Sequence, residues 1–168
     1  MMLEIALEAD AEWDSSRPWE KLIRAAAEAA IAESAFPQLT TSGQPVELSV
    51  RLAGDQEVRA LNAKWRGKDQ VTNVLSFPLA NADDFQCANI PERELLLGDI
   101  VMAHGVCEAE AAEKGVSVQD HATHLLVHGT LHLLGYDHQA DADAAEMEAR
   151  EIRALARLGI SDPYAVND

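Results

Sequence analysis

Residues 128–138, HGTLHLLGYDH, place three histidines in eleven positions and interrupt a helical pattern with Gly-Tyr-Asp between the second and the third. At about 100° per residue, His128 and His132 fall one turn apart on the same helix face. Both imidazoles can then point at a single ion about 2.0–2.1 Å away. Gly135 ends that helix, because glycine takes the left-handed conformation that turns a chain back. His138, three residues on, can supply a third nitrogen from the far side. Three neutral nitrogens and one open position are the coordination of a catalytic zinc rather than a structural one, with one Zn2+ per chain.

The spacing H-x3-H-x2-G-x2-H is also that of the metzincin peptidases. Those enzymes carry a glutamate general base directly after the first histidine, where this chain has Gly129. The cage is kept and the peptidase base is gone. His104, His121 and His124 read as structural histidines, although His124 continues the stripe of His128 toward the helix start and could support the site or line its cleft. Asp137 beside the last histidine could orient a ligand, yet an Asp in a glycine-containing turn is common for backbone reasons alone.

The rest of the chain reads as a framework for that segment. LEIALEA (3–9) and PVELSVRLAG (45–54) alternate apolar and polar residues with period two, as half-buried strands do. SRPWEKLIRAAAEAAIAES (16–34) between them is an amphipathic helix with Ser16 as candidate cap, Pro18 in the first turn, and Trp19, Leu22, Ile23, Ala26 and Ala30 on one side. GDQEVRALNAKW (54–65) repeats the helical spacing, and TNVLSFPL (72–79) follows as a strand that Pro78 confines to a strand end or sheet edge. Residues 80–94 form a long polar loop, and LLGDIVMA (96–103) is a short apolar strand.

Two helices then meet at Gly115, with Ser117 and Asp120 spaced as a capping box, and a last helix over 141–159 carries a Glu146–Arg150 pair and ends at Gly159. Four strands and about five helices, interspersed rather than strictly alternating, predict an α+β domain with one mixed sheet. A length of 168 residues with 48% hydrophobic side chains suits a single domain over 1–168.

No stretch approaches the roughly 18 uninterrupted apolar residues of a membrane span, and the acidic first residues do not resemble a secretory leader. The expectation is a soluble, cytoplasmic protein without a membrane partner. Cys87 and Cys107 lie far apart and read as two reduced thiols, neither a disulfide nor a metal pair. The formal net charge of -16 argues against indiscriminate nucleic-acid binding. Local distribution differs from that average: RALNAKWRGK (59–68) holds Arg59, Lys64, Arg66 and Lys68 without one acid. Such a stripe is either a solvated helix end, where cations favour the C-terminal dipole, or a phosphate-binding surface.

HGTLHLLGYDH, preceded by KWRGKDQVTNVLSFP (64–78) and LLGDIV (96–101), resembles the YbeY family of bacterial endoribonucleases, the rRNA maturation factors. Three separate motifs agree and stand in the same order. The resemblance implies a compact α+β fold, zinc on His128, His132 and His138, and a part in activity for Arg66. It also implies single-stranded ribosomal RNA as substrate, in 16S rRNA 3′-end maturation and ribosome quality control, with the ribosome or its associated proteins as partners. Trp65 stands where the family often has Tyr, and the first 45 residues carry no motif of it. On this reading Arg66 meets the developing charge on the scissile phosphate, and Lys64 and Lys68 hold flanking phosphates. Two other classes stay open: a zinc metallopeptidase-like hydrolase, and a non-catalytic ribosome-assembly factor with a structural zinc. Oligomeric state is not readable from these residues.

Overall fold

The computed structural model of the chain describes residues 3–41, 43–86 and 94–165. Strands β1 (Leu3–Ala9), β2 (Val46–Ala53), β3 (Val74–Pro78) and β4 (Leu95–Ala103) form one sheet in the order β1-β2-β4-β3. β1, β2 and β4 are parallel, and β3 pairs antiparallel with β4. The sheet is therefore mixed, as the interspersed elements predict. β3 is an edge strand and Pro78 is its last residue, where a missing N–H breaks no ladder.

Among the described residues the helices are α1 (Trp19–Ala32), α2 (Asp55–Arg66), α3 (Ala82–Gln86), α4 (His104–Lys114), α5 (Val118–Leu133) and α6 (Asp141–Arg157), with a 3-10 turn at Pro37–Thr40. The period-two pattern of β2 sends Val46, Leu48, Val50 and Leu52 to one face, where they join Ile23 and Ala26 of α1 and Leu126 and Leu131 of α5 in the main core. On the opposite face Leu75 and Val101 pack with Val58 and Leu61 of α2. α5 runs through the middle of the molecule, with 11 of its 16 residues buried. A helix enclosed on nearly all sides is a rigid platform for whatever projects from its exposed end.

Two local expectations change. Ser16 does not cap α1: its hydroxyl donates to Asp14 Oδ1 at 2.6 Å, and the helix starts after Pro18 with no side-chain cap. The segment 80–94 is not all loop, because Asn81 Oδ1 accepts from the Asp84 N–H at 3.1 Å and starts α3. Phe85 of that turn is buried against Phe36, ring centroids 4.9 Å apart. Residues 87–93, Cys87 among them, lie outside the described residues; Cys107 is buried, and burial pushes its thiol pKa up to about 12.

Half of the expected box caps α5: Ser117 Oγ accepts from the Asp120 N–H at 3.0 Å, and the reciprocal bond from the Ser117 N–H to the Asp120 side chain does not form among the described residues. Ser117→Ala is expected to cost ~1 kcal/mol of stability, read as a lower urea midpoint at unchanged slope. An unchanged midpoint would show that α5 is held by packing alone.

Candidate metal centre

The exposed end of α5 closes with two backbone bonds that only a left-handed residue permits. The Gly135 N–H donates to His132 O at 3.0 Å and the Tyr136 N–H to Leu131 O at 3.1 Å, while Gly135 takes φ +99°. The chain turns back on itself there. Asp137 Oδ1 accepts the His138 N–H at 2.7 Å, which gives Asp137 the turn-forming role. The result brings the ring nitrogens of His128, His132 and His138 within 4.8 Å of one another.

Neighbours fix two of the three rings. His132 Nδ1 faces the Tyr136 carbonyl at 2.8 Å, and because a carbonyl only accepts, that nitrogen carries the proton. His128 Nδ1 faces the carboxylate of Glu151, which likewise only accepts. In neutral rings both Nε2 atoms are then bare, and they stand 3.0 Å apart. Two lone pairs in that position repel unless a cation lies between or beside them. Burial, together with the nearby His128, pushes the His132 pKa down to about 4, so the ring is neutral at pH 7. By the chemistry of its donors the cluster fits a divalent metal that favours imidazole.

Glu151 is the residue that spacing does not reveal. It is fully buried in α6, in line with Met147 and Leu155, and Oε2 accepts from the Tyr164 hydroxyl. Burial alone would raise its pKa, but the nearby His124 and the hydrogen bonds from His128 and Tyr164 outweigh that and hold it at about 2. Burial and the Glu151 carboxylate push the Tyr164 phenol well above its usual range, so it remains a donor. His124 joins the same network, with Nε2 3.3 Å from the Tyr164 oxygen and 3.7 Å from Glu151 Oε2. The other two histidines are structural, His121 Nε2 lying 2.8 Å from Glu110 and the His104 ring standing edge-on to Trp13.

A cavity of about 730 Å³ opens over the triad. Asn62 and Arg66 of α2, Lys68, Thr72 and Asn73 of the following segment, and Ser76 of β3 line it opposite the histidines. Arg66 is the only described arginine whose side chain makes no hydrogen bond or ion pair. Arg59, by contrast, is held by Asp69 at 2.9 Å. Lys64 is outside this cavity, its ammonium 5.0 Å from the centroid of the Trp65 ring, and Trp65 lines a different groove beside the sheet. Gly129 is buried within α5 against the sheet, where a Cβ would lie 3.1 Å from both Ile100 Cδ1 and Ser76 Oγ. At the position that holds the base in metzincins, a side chain would have to push Ile100 and Ser76 aside by a few tenths of an ångström.

A family model described as endoribonuclease YbeY matches residues 5–159. The chain belongs to the endoribonuclease YbeY family. It is 49% identical over 168 residues to the family's member in Rhizorhabdus wittichii, covering 99% of both chains. The member in Novosphingobium aromaticivorans is 50% identical over 166 residues, covering 98% of this chain and 97% of its own. Both relatives are described as endoribonuclease YbeY. In fold the chain is similar to the solution structure of TM1509 from Thermotoga maritima, with a TM-score of 0.53 at 23% identity, covering 98% of this chain and 100% of that one. The family match spans the triad, the Arg66 segment and Glu151 alike.

Proposed function

We propose that this chain is a zinc-dependent endoribonuclease, selective for single strands, that matures the 3′ end of 16S rRNA and takes part in ribosome quality control in the cytoplasm. Membership of an endoribonuclease family makes the chain a hydrolase of RNA. The observation that carries the finer reading is the unpaired Arg66, facing the triad across one cavity. In a protein of net charge -16, a free guanidinium beside three convergent imidazoles is a place for an anion that also reaches a metal.

His128, His132 and His138 would hold the zinc. When bound there, it would lower the pKa of a water toward ~7 and polarise a phosphoryl oxygen. The protein's own residues do the rest. Arg66 presents a planar fork of donors to the phosphate, offsetting the charge that develops as the bond to the attacking oxygen forms. Lys68, on the same wall, holds a neighbouring phosphate, and Lys64 one further along. The polar side chains of Thr72 and Ser76, which line the same cavity, face the sugar-phosphate chain. The triad lines a cavity, so a flexible strand that bends its scissile phosphate inward reaches it more readily than a rigid duplex does.

With zinc added, the purified chain is expected to cut single-stranded RNA internally, duplex RNA poorly, and casein not at all. Chelation is expected to abolish cleavage and zinc to restore it. A His128→Ala preparation made in parallel guards against a contaminating ribonuclease. Undiminished cleavage by that variant, or peptide hydrolysis by the wild type alone, would overturn the proposal. Metal binding without either activity would favour an assembly factor.

A further inference from the structure

We infer that Glu151 is a positioning residue for the metal centre: held by Tyr164, its carboxylate locks His128 with Nδ1 protonated and Nε2 turned to the ion. This rests on the reading of the triad as a metal site. Glu151 is fully buried and does not line the cavity, so it cannot touch a substrate. No lysine or arginine pairs with it among the described residues, and an ionised carboxylate buried without a cation is costly to keep. Ordinary packing would place an apolar residue between Met147 and Leu155 on this stripe. What the carboxylate touches instead is His128, His124 and Tyr164.

The three ligands differ in how their rings are held. His132 is fixed by the backbone carbonyl of Tyr136, which no side-chain change removes. The ring of His138 makes no hydrogen bond among the described residues, and that residue is exposed. His128 alone depends on another side chain for its tautomer. A carboxylate, which only accepts, forces the Nδ1–H form, and charge on it strengthens Nε2 as a donor to a metal. Tyr164 follows the end of α6, so its hydroxyl ties that segment to Oε2 and keeps Oε1 aimed at His128.

The substitution Glu151→Gln separates positioning from packing, because an amide of the same shape both accepts and donates. Two readouts apply. In the metal-free protein, long-range nitrogen–proton NMR is expected to show His128 in the Nδ1–H form in the wild type and as mixed tautomers in the variant. In competition with a chelator, zinc affinity is expected to fall about 10- to 100-fold, with the fold retained by circular dichroism. Tyr164→Phe, which leaves the carboxylate in place, is expected to give a smaller loss in the same direction and serves if the first variant does not fold. Unchanged zinc affinity and unchanged tautomer, or a lower melting temperature as the sole effect, would overturn the inference. If the wild type bound no metal, the metal reading would fall, and the tautomer measurement alone would still decide whether Glu151 fixes the ring.

Discussion

His132→Ala is expected to strip the chain of its metal and to lower RNA turnover by more than about a thousandfold, a loss of roughly 4 kcal/mol of transition-state stabilisation. The size follows from how this ring is held. Its Nδ1 is fixed by the Tyr136 carbonyl at 2.8 Å, its Nε2 stands 3.0 Å from that of His128, and burial keeps it neutral. Truncation leaves two imidazoles, one of them exposed, which is too few to retain a divalent ion against water. The fold is expected to survive, because the core contacts of this turn belong to Leu131 and Leu133 on either side. Elemental analysis and a thermal melt decide both points. A full equivalent of zinc in the variant would remove His132 from the cage, and a collapsed melt would mean that the ion is structural.

This triad was legible in the sequence because a helix converts spacing into direction. Two residues four apart must share a face, and Gly135 must turn the chain, so His128, His132 and His138 could be assigned without coordinates. The four strands were legible for the same kind of reason, since alternation such as Val46, Leu48, Val50 and Leu52 has one physical meaning. Ser16 misled because a short polar side chain has more than one partner within reach, and here Asp14 competes successfully. Glu151 left a signal, an acid in the apolar stripe of α6 between Met147 and Leu155. That signal says the acid is buried with partners and cannot say which. His128 is 23 residues away along the chain, and their meeting depends on how α5 and α6 pack.

Helix phase also sorts the basic stripe, with a testable consequence. Arg66 is four residues after Asn62, so the two share a face of α2 and both line the triad's cavity. Lys64, two residues earlier, points about 200° away and lies over Trp65. Arg66→Ala is therefore expected to lower turnover about a hundredfold, or ~2.7 kcal/mol, as removal of one donor to a developing oxyanion does. Arg66→Lys is expected to recover part of this and remain more than tenfold below wild type, because an ammonium keeps the charge but not the planar fork. Neither change is expected to alter RNA affinity more than modestly. Lys64→Ala and Lys68→Ala are expected to do the opposite, leaving turnover of bound RNA near wild type while each lowers the salt slope of binding by roughly 0.7, the single-strand value for one phosphate contact. Turnover at saturating RNA, set beside affinity across a salt series, separates the two patterns. Equal losses of affinity from all three substitutions, with turnover intact, would make Arg66 an ordinary phosphate contact and leave the charge at the reacting phosphate to the metal alone.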